Sequence, residues 1–112
     1  MKQFEIWWTT LPEPSGRRPV LLLSRSPAYE YLSRVLVVEV TTTVRGIPQE
    51  VHLGRAEGLS ERSVANVDAL RVVAKHRLEK RIGSLGPLRI VEAKRALGYA
   101  LDFPELKRAG ED

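Results

Sequence analysis

"VLVVEVTTT", Val35 to Thr43, is built from β-branched side chains interrupted only by Leu36 and Glu39. Such a run suits a pleated, packed surface and loses side-chain freedom in a helix, so it predicts a central strand. Without a bulge, Val35, Val37, Glu39, Thr41 and Thr43 share one face. The neighbouring segments extend the same reading. Upstream, "PVLLLS" from Pro19 is apolar on both faces and predicts a second central strand, with Pro19 at its first position where a missing N–H is tolerated. Before it, "KQFEIWWTT" alternates, with Phe4, Ile6 and Trp8 on one side and Trp7 as an aromatic on the polar side. Residues 11–16, "LPEPSG", make a loop.

Downstream of the long strand, Gly46 and Pro48 punctuate a turn. "QEVHL" (49–53) then predicts a hairpin partner for that strand, with Val51 and Leu53 on one face. "SVANVDALRVV" predicts a strand pair or a bent strand, Ala65 and Val67 pointing inward and Asn66 and Asp68 outward. "KHRLEKR" reads as a charged loop, and "RIGSL" as a last short strand. In "GPLRIVEAKRALGYAL", Pro87 fits a first helical turn, Ile90, Ala93, Leu97, Ala100 and Leu101 recur at helical spacing, and Pro104 ends the pattern. These elements predict an α+β fold, a small antiparallel β-barrel of five to seven strands closed by a C-terminal helix. A single domain is expected over residues 1–112, with a polar C-terminal tail over about 103–112.

The 112 residues, 43% of them apolar, suffice for one core. No apolar stretch approaches membrane-spanning length and no signal-peptide pattern opens the chain, so a soluble, cytoplasmic protein without a membrane anchor is expected. Zero cysteines exclude disulfides and thiolate metal sites, and two well-separated histidines form no ligand motif; neither a metal nor a cofactor is expected. Eighteen Lys and Arg stand against fourteen Asp and Glu, a formal charge of +4. The basic residues cluster at Arg17 and Arg18, at Arg25 and Arg34, at Arg45 and in "KHRLEKR", which suits either a polyanion-binding face or an ordinary solvated surface.

Phosphate loops, HExxH, GxSxG and cysteine nucleophiles are all absent, so any chemistry rests on dispersed polar residues. Arg18 directly precedes Pro19 and a buried strand, which fixes its backbone while its guanidinium reaches an edge. Its planar fork can grip two phosphate oxygens, or it can pair with Glu13. The hydroxyls of Thr41, Thr42 and Thr43 close the long strand and can bind a phosphate, although threonine is also a good strand former. Asn66, Asp68 and Arg71 put an amide, an acid and a base close together, for a site or for a local ion pair. His52 and His76 read best as solvated.

In order and spacing, "EIWW", the Pro/Gly loop, "RRPVLLLS", "VLVVEVTTTVRGIPQEV", "SVANVDALRVV", "KHRLEKRIGSL" and the terminal helix resemble the MazF/PemK family of bacterial toxins over residues 2 to about 101. The resemblance implies an SH3-like barrel of CcdB/PemK/MazF type, assembled as a homodimer. It implies metal-independent, sequence-selective cleavage of single-stranded RNA by attack of the ribose 2′-hydroxyl, leaving a cyclic phosphate and a 5′-hydroxyl. It also implies a MazE-like antitoxin whose acidic, disordered tail covers the site. On the family pattern the catalytic arginine falls on Arg18, the strand-end threonine on Thr41 and an acidic base on Asp68. Asn66 stands where some members carry arginine, and the first loop is short, so the base is open among Asp68, Glu13 and the 2′-hydroxyl's own surroundings. Arg17, Arg25, Thr42, Thr43, Arg45, Asn66 and Arg71 are the expected RNA-binding residues, Arg17 drawing RNA in and tolerating substitution. A gyrase-poisoning or non-catalytic binding barrel of the same fold is the alternative.

Overall fold

The structure is a computed structural model and describes residues 1–111; Asp112, the last residue of the expected tail, lies outside the described residues. Seven strands form one curled antiparallel sheet: β1 (Glu5–Leu11), β2 (Gly16–Leu22), β3 (Arg34–Thr41), β4 (Glu50–Leu53), β5 (Ser63–Asn66), β6 (Arg71–Ala74) and β7 (Leu78–Ser84). Helices α1 (Pro87–Leu101) and α2 (Pro104–Lys107) follow. The expected small antiparallel barrel with a C-terminal helix is thus present, as a curled half-barrel. The strand order is β4-β5-β3-β2-β1-β7, with β6 also on β3.

β3 is central, as its composition demands, and is buried on both faces. Val38 and Val40 enter a core with Ile6, Leu21, Val51, Ala65 and Ala93 under α1. Val35 and Val37 enter a second core with Leu11, Val20, Leu22, Tyr29 and Val73. Trp7 packs against this second core, which accounts for an aromatic on the nominally polar face of β1. Burial of both sheet faces is what the continuous apolar runs of β2 and β3 encode.

Three expectations are corrected. β4 is not the hairpin partner of β3: it pairs with β5, His52 opposite Val64, while β5 sits against the end of β3, Val40 opposite Ala65. The intervening segment is too long for a tight hairpin turn, so the chain crosses over. Pro19 lies inside β2 rather than at its start, opposite Trp8 on β1; pairing with β3 begins only at Val20, so the missing N–H removes no rung there. "KHRLEKR" is not simply a loop: after a 3₁₀ turn at Lys75–Arg77, β7 starts at Leu78. β7 is an edge strand, and its outward Lys80 and Arg81 are the charges that keep such an edge from pairing with another chain.

"SVANVDALRVV" is indeed a bent pair: β5, a 3₁₀ turn at Val67–Ala69, then β6, both alongside β3. α1 ends at Asp102 in the left-handed conformation, and α2 folds back so that Gly98 sits under Leu106 and Lys107.

Candidate active site

Strand register determines which side chains converge. Val20 faces Glu39 across β2–β3, and Arg71 faces Val37 across β6–β3, so Arg18, Glu39 and Arg71 project from three neighbouring strands on the side of the second core. There Glu39 bridges two guanidinium groups: its Oε1 lies 3.5 Å from Arg18 Nε and its Oε2 3.2 Å from Arg71 Nη1. Arg18 Nε also donates to the Ser15 carbonyl at 3.0 Å. The carboxylate partner of Arg18 is therefore Glu39 and not Glu13, which is exposed in the 12–15 turn. The alternative Asp68–Arg71 ion pair is likewise replaced by Glu39–Arg71.

Beyond Arg18 opens a cleft of about 460 Å³ lined by Arg18, Glu39, Thr41, Thr43, Arg45, Glu50, Asn66 and Asp68. Thr41 ends β3, and its Oγ1 accepts from the Thr43 N–H at 3.2 Å, which turns the chain out of the sheet while leaving the hydroxyl proton free to donate. On the opposite wall, Asn66 Oδ1 accepts from the Asp68 N–H at 3.0 Å and caps the 3₁₀ turn. That cap fixes the backbone of Asp68 while its carboxylate stays exposed.

The third wall is the 44–49 segment, organised by Glu50. Its buried carboxylate accepts from the backbone N–H groups of Arg45 (2.9 Å), Gly46 (2.8 Å) and Ile47 (3.3 Å). Burial pushes the Glu50 carboxyl up, but those N–H bonds outweigh it and leave its pKa below the usual 4.5. Gly46 supplies the left-handed residue this loop needs, at φ 76°.

The cleft is thus charge-balanced rather than simply basic. Counting Arg71, which reaches Glu39 from outside the cleft lining, three arginines (Arg18, Arg45, Arg71) stand against three carboxylates (Glu39, Glu50, Asp68). Glu50 is committed to backbone and Glu39 to two arginines. Among the described residues, only Asp68 of the three has a carboxylate without a hydrogen-bond partner.

Sequence reasoning brought Arg18, Thr41, Thr43, Arg45, Asn66 and Asp68 to this cleft, with Arg71 behind Glu39. It missed Glu39 and Glu50. An acid two residues before Thr41 on the same strand face, and an acid opening a strand after a Gly/Pro turn, are the signals that could have found them. Three other expected residues lie elsewhere. Arg17 stacks on the Trp8 ring at 4.3 Å and pairs with Glu79 at 3.1 Å. Arg25 pairs with the Tyr31 hydroxyl in the connection between β2 and β3. Thr42 lines a separate pocket on the other side of the strand end. No group of three or more His, Cys, Asp or Glu residues is disposed to hold a metal among the described residues.

Against known families, residues 2–101 match the PemK-like, MazF-like toxins of type II toxin–antitoxin systems. The chain belongs to that family. The probable endoribonuclease MazF5 of Mycobacterium tuberculosis is 39% identical over 99 residues, 88% of this chain and 90% of the relative. Among solved structures, the Mycobacterium tuberculosis toxin MazF-mt6 superposes with a TM-score of 0.81 at 33% identity, covering 88% of this chain and 96% of that one. An endoribonuclease in complex with its cognate antitoxin from a mycobacterial species gives 0.82 at 27% identity, with 93% and 97% covered. For a MazF-like toxin, no described helix is long and apolar enough to cross a membrane.

Proposed function

We propose that this MazF-like protein, an endoribonuclease toxin, cuts single-stranded RNA in the Arg18–Thr41–Asp68 cleft, at preferred sequences and without a metal ion. The supporting observation is the convergence of those three side chains, from three segments distant in sequence, on one open cleft with a free carboxylate opposite a fixed guanidinium.

In this reading the ribose 2′-oxygen attacks the adjacent phosphorus. The 2′-O–P bond forms, the P–5′-O bond breaks, and the products are a cyclic phosphate and a 5′-hydroxyl. Asp68 takes the 2′ proton. The Arg18 guanidinium offsets the negative charge that builds on the phosphoryl oxygens. Thr41 donates its hydroxyl to the same phosphate and holds it in line. Since an arginine does not readily surrender its proton, the leaving 5′-oxygen is protonated by water. Arg45, Thr43 and Asn66 bind the flanking backbone.

Purified protein incubated with long RNA in EDTA tests the reading. Cleavage to 5′-hydroxyl ends is expected, and Arg18→Ala should lower the rate by about two to three orders of magnitude. Intact RNA across several substrates at micromolar protein would overturn it. Family membership further supports a homodimer and an antitoxin with an acidic, disordered tail; a solved relative in complex with its cognate antitoxin is the precedent. Co-purification with a small acidic protein that blocks cleavage is the expected result.

A further inference from the structure

The stretch of β2 and β3 that carries the cleft has a second face. Trp8 stands opposite Pro19 in the β1–β2 register, and the Val20–Glu39 pairing sets Pro19 level with Val40, so these three side chains form a floor facing away from Arg18 and Glu39. The floor continues the core beneath α1, yet no α1 residue covers it. It is left open as a pocket of about 320 Å³. Gly58, Leu59, Ser60, Glu61 and Ser63 make the facing wall, with Ser60 and Glu61 at the rim. Thr41 lines this pocket and the cleft alike.

We propose that this pocket takes the base of a nucleotide next to the scissile phosphate, packed against Trp8, and so contributes to the choice of cleavage sequence. The proposal rests on the RNA-cleaving reading of the cleft. Three observations favour a nucleobase over an aliphatic side chain of a protein partner. An apolar floor with a hydroxyl and carboxylate rim matches a heterocycle, whose faces are apolar and whose edge bears donors and acceptors. An aliphatic group would leave that rim unused. The Arg17 guanidinium covers the Trp8 ring at 4.3 Å and is itself held by Glu79, so the ring plane is fixed before anything binds. Finally, the shared Thr41 makes the pocket continuous with the phosphate position, so a strand held there needs only to turn one base over the end of β3.

The experiment is a coupling measurement with short RNA substrates in which each base around the cut is replaced in turn by an abasic ribose. On intact RNA, Trp8→Ala should lower kcat/KM about ten- to a hundredfold, the range expected for one lost base–aromatic stack. On the RNA abasic at one particular position, the same substitution should change kcat/KM less than about twofold, because the stack is already gone. Should Trp8→Ala fail to fold, Ser60→Trp at the exposed rim fills the pocket without entering the core, and the same coupling is expected. If the two effects multiply independently at every position, the pocket reads no base and the proposal falls. Wild-type cleavage abolished by Arg18→Ala would in that case leave the cleft reading intact. If the wild type cuts no RNA at all, both readings fall together.

Discussion

Glu39 carries two arginines on one carboxylate, and in the proposed mechanism this makes it a positioning residue rather than a reacting one. Its Oε1 steadies Arg18 while its Oε2 holds Arg71, so the guanidinium offered to substrate has little freedom left to lose. The same carboxylate competes with phosphate for those guanidiniums. Glu39→Gln should therefore split the kinetic constants: kcat falls about tenfold or more as Arg18 loses its orientation, whereas KM stays level or drops. Steady-state kinetics on a short RNA read this directly, and an unchanged kcat would show that Arg18 is held by Ser15 alone. Glu50 acts on the loop instead of the substrate. Its folded-state pKa is lowered, so the stability it contributes is fully present above its unfolded value of 4.5 and is lost as pH falls through the lower folded value. Denaturant titrations below pH 4.5 should show a steep loss of stability in the wild type that Glu50→Gln flattens. Asp68, the proposed base, is chosen by elimination among three carboxylates, and sequence alone could not perform that elimination. Which acid is already engaged depends on register and loop closure, and the partners of Glu39 lie on β2 and β6, far from it along the chain.

At the scale of elements, two glycines mark where backbones touch. A Cβ on Gly83 of β7 would lie 2.1 Å from the Glu57 carbonyl oxygen, in the connection between β4 and β5. A carbonyl cannot swing aside as a long side chain can, so Gly83→Ala should destabilise the fold by about 1–3 kcal/mol, measured as a lower urea midpoint with an unchanged m-value. On Gly98 a Cβ would lie 2.5 Å from the Lys107 amide nitrogen. Gly98→Ala should thus lift α2 from α1 while leaving cleavage intact, because neither helix lines the cleft; hydrogen exchange confined to residues 104–109 would report it. Strand identities were largely legible from alternation and β-branching in Val35–Thr43, Pro19–Ser24 and Ser63–Val73. Strand partnership was less so. The "VRGIP" punctuation looks like a hairpin turn, and only the pairing of β4 with β5 reveals a longer, crossing connection. The second half of β7 was legible as "RIGSL", but its first half was hidden inside "KHRLEKR" for another reason: edge-strand charges resemble loop charges when read from sequence.

For the molecule as a whole, the net charge of +4 overstates the attraction that the cleft itself offers. Arginines and carboxylates balance there, so binding depends on a few contacts and not on a broad basic field. The log–log salt dependence of RNA binding should have a slope of about −1.4 to −2.1, corresponding to two or three phosphates neutralised on a single strand. Arg45→Ala should make it shallower by about 0.7 if that residue meets one of them. Fluorescence anisotropy at several salt concentrations checks both values, and a flat response would exclude electrostatic binding at the cleft.

The alternation of β2 and β3 has a practical consequence for anyone wishing to redesign this protein. Arg18 and Glu39 occupy one side of the sheet, and their immediate neighbours Pro19 and Val40 occupy the other. A library varying Trp8, Val40 and Ser60 could therefore be screened for new cutting preferences while the side chains proposed to hold the phosphate stay untouched. Retargeting and loss of activity become separable mutational routes, although the two sets of positions are adjacent in the gene.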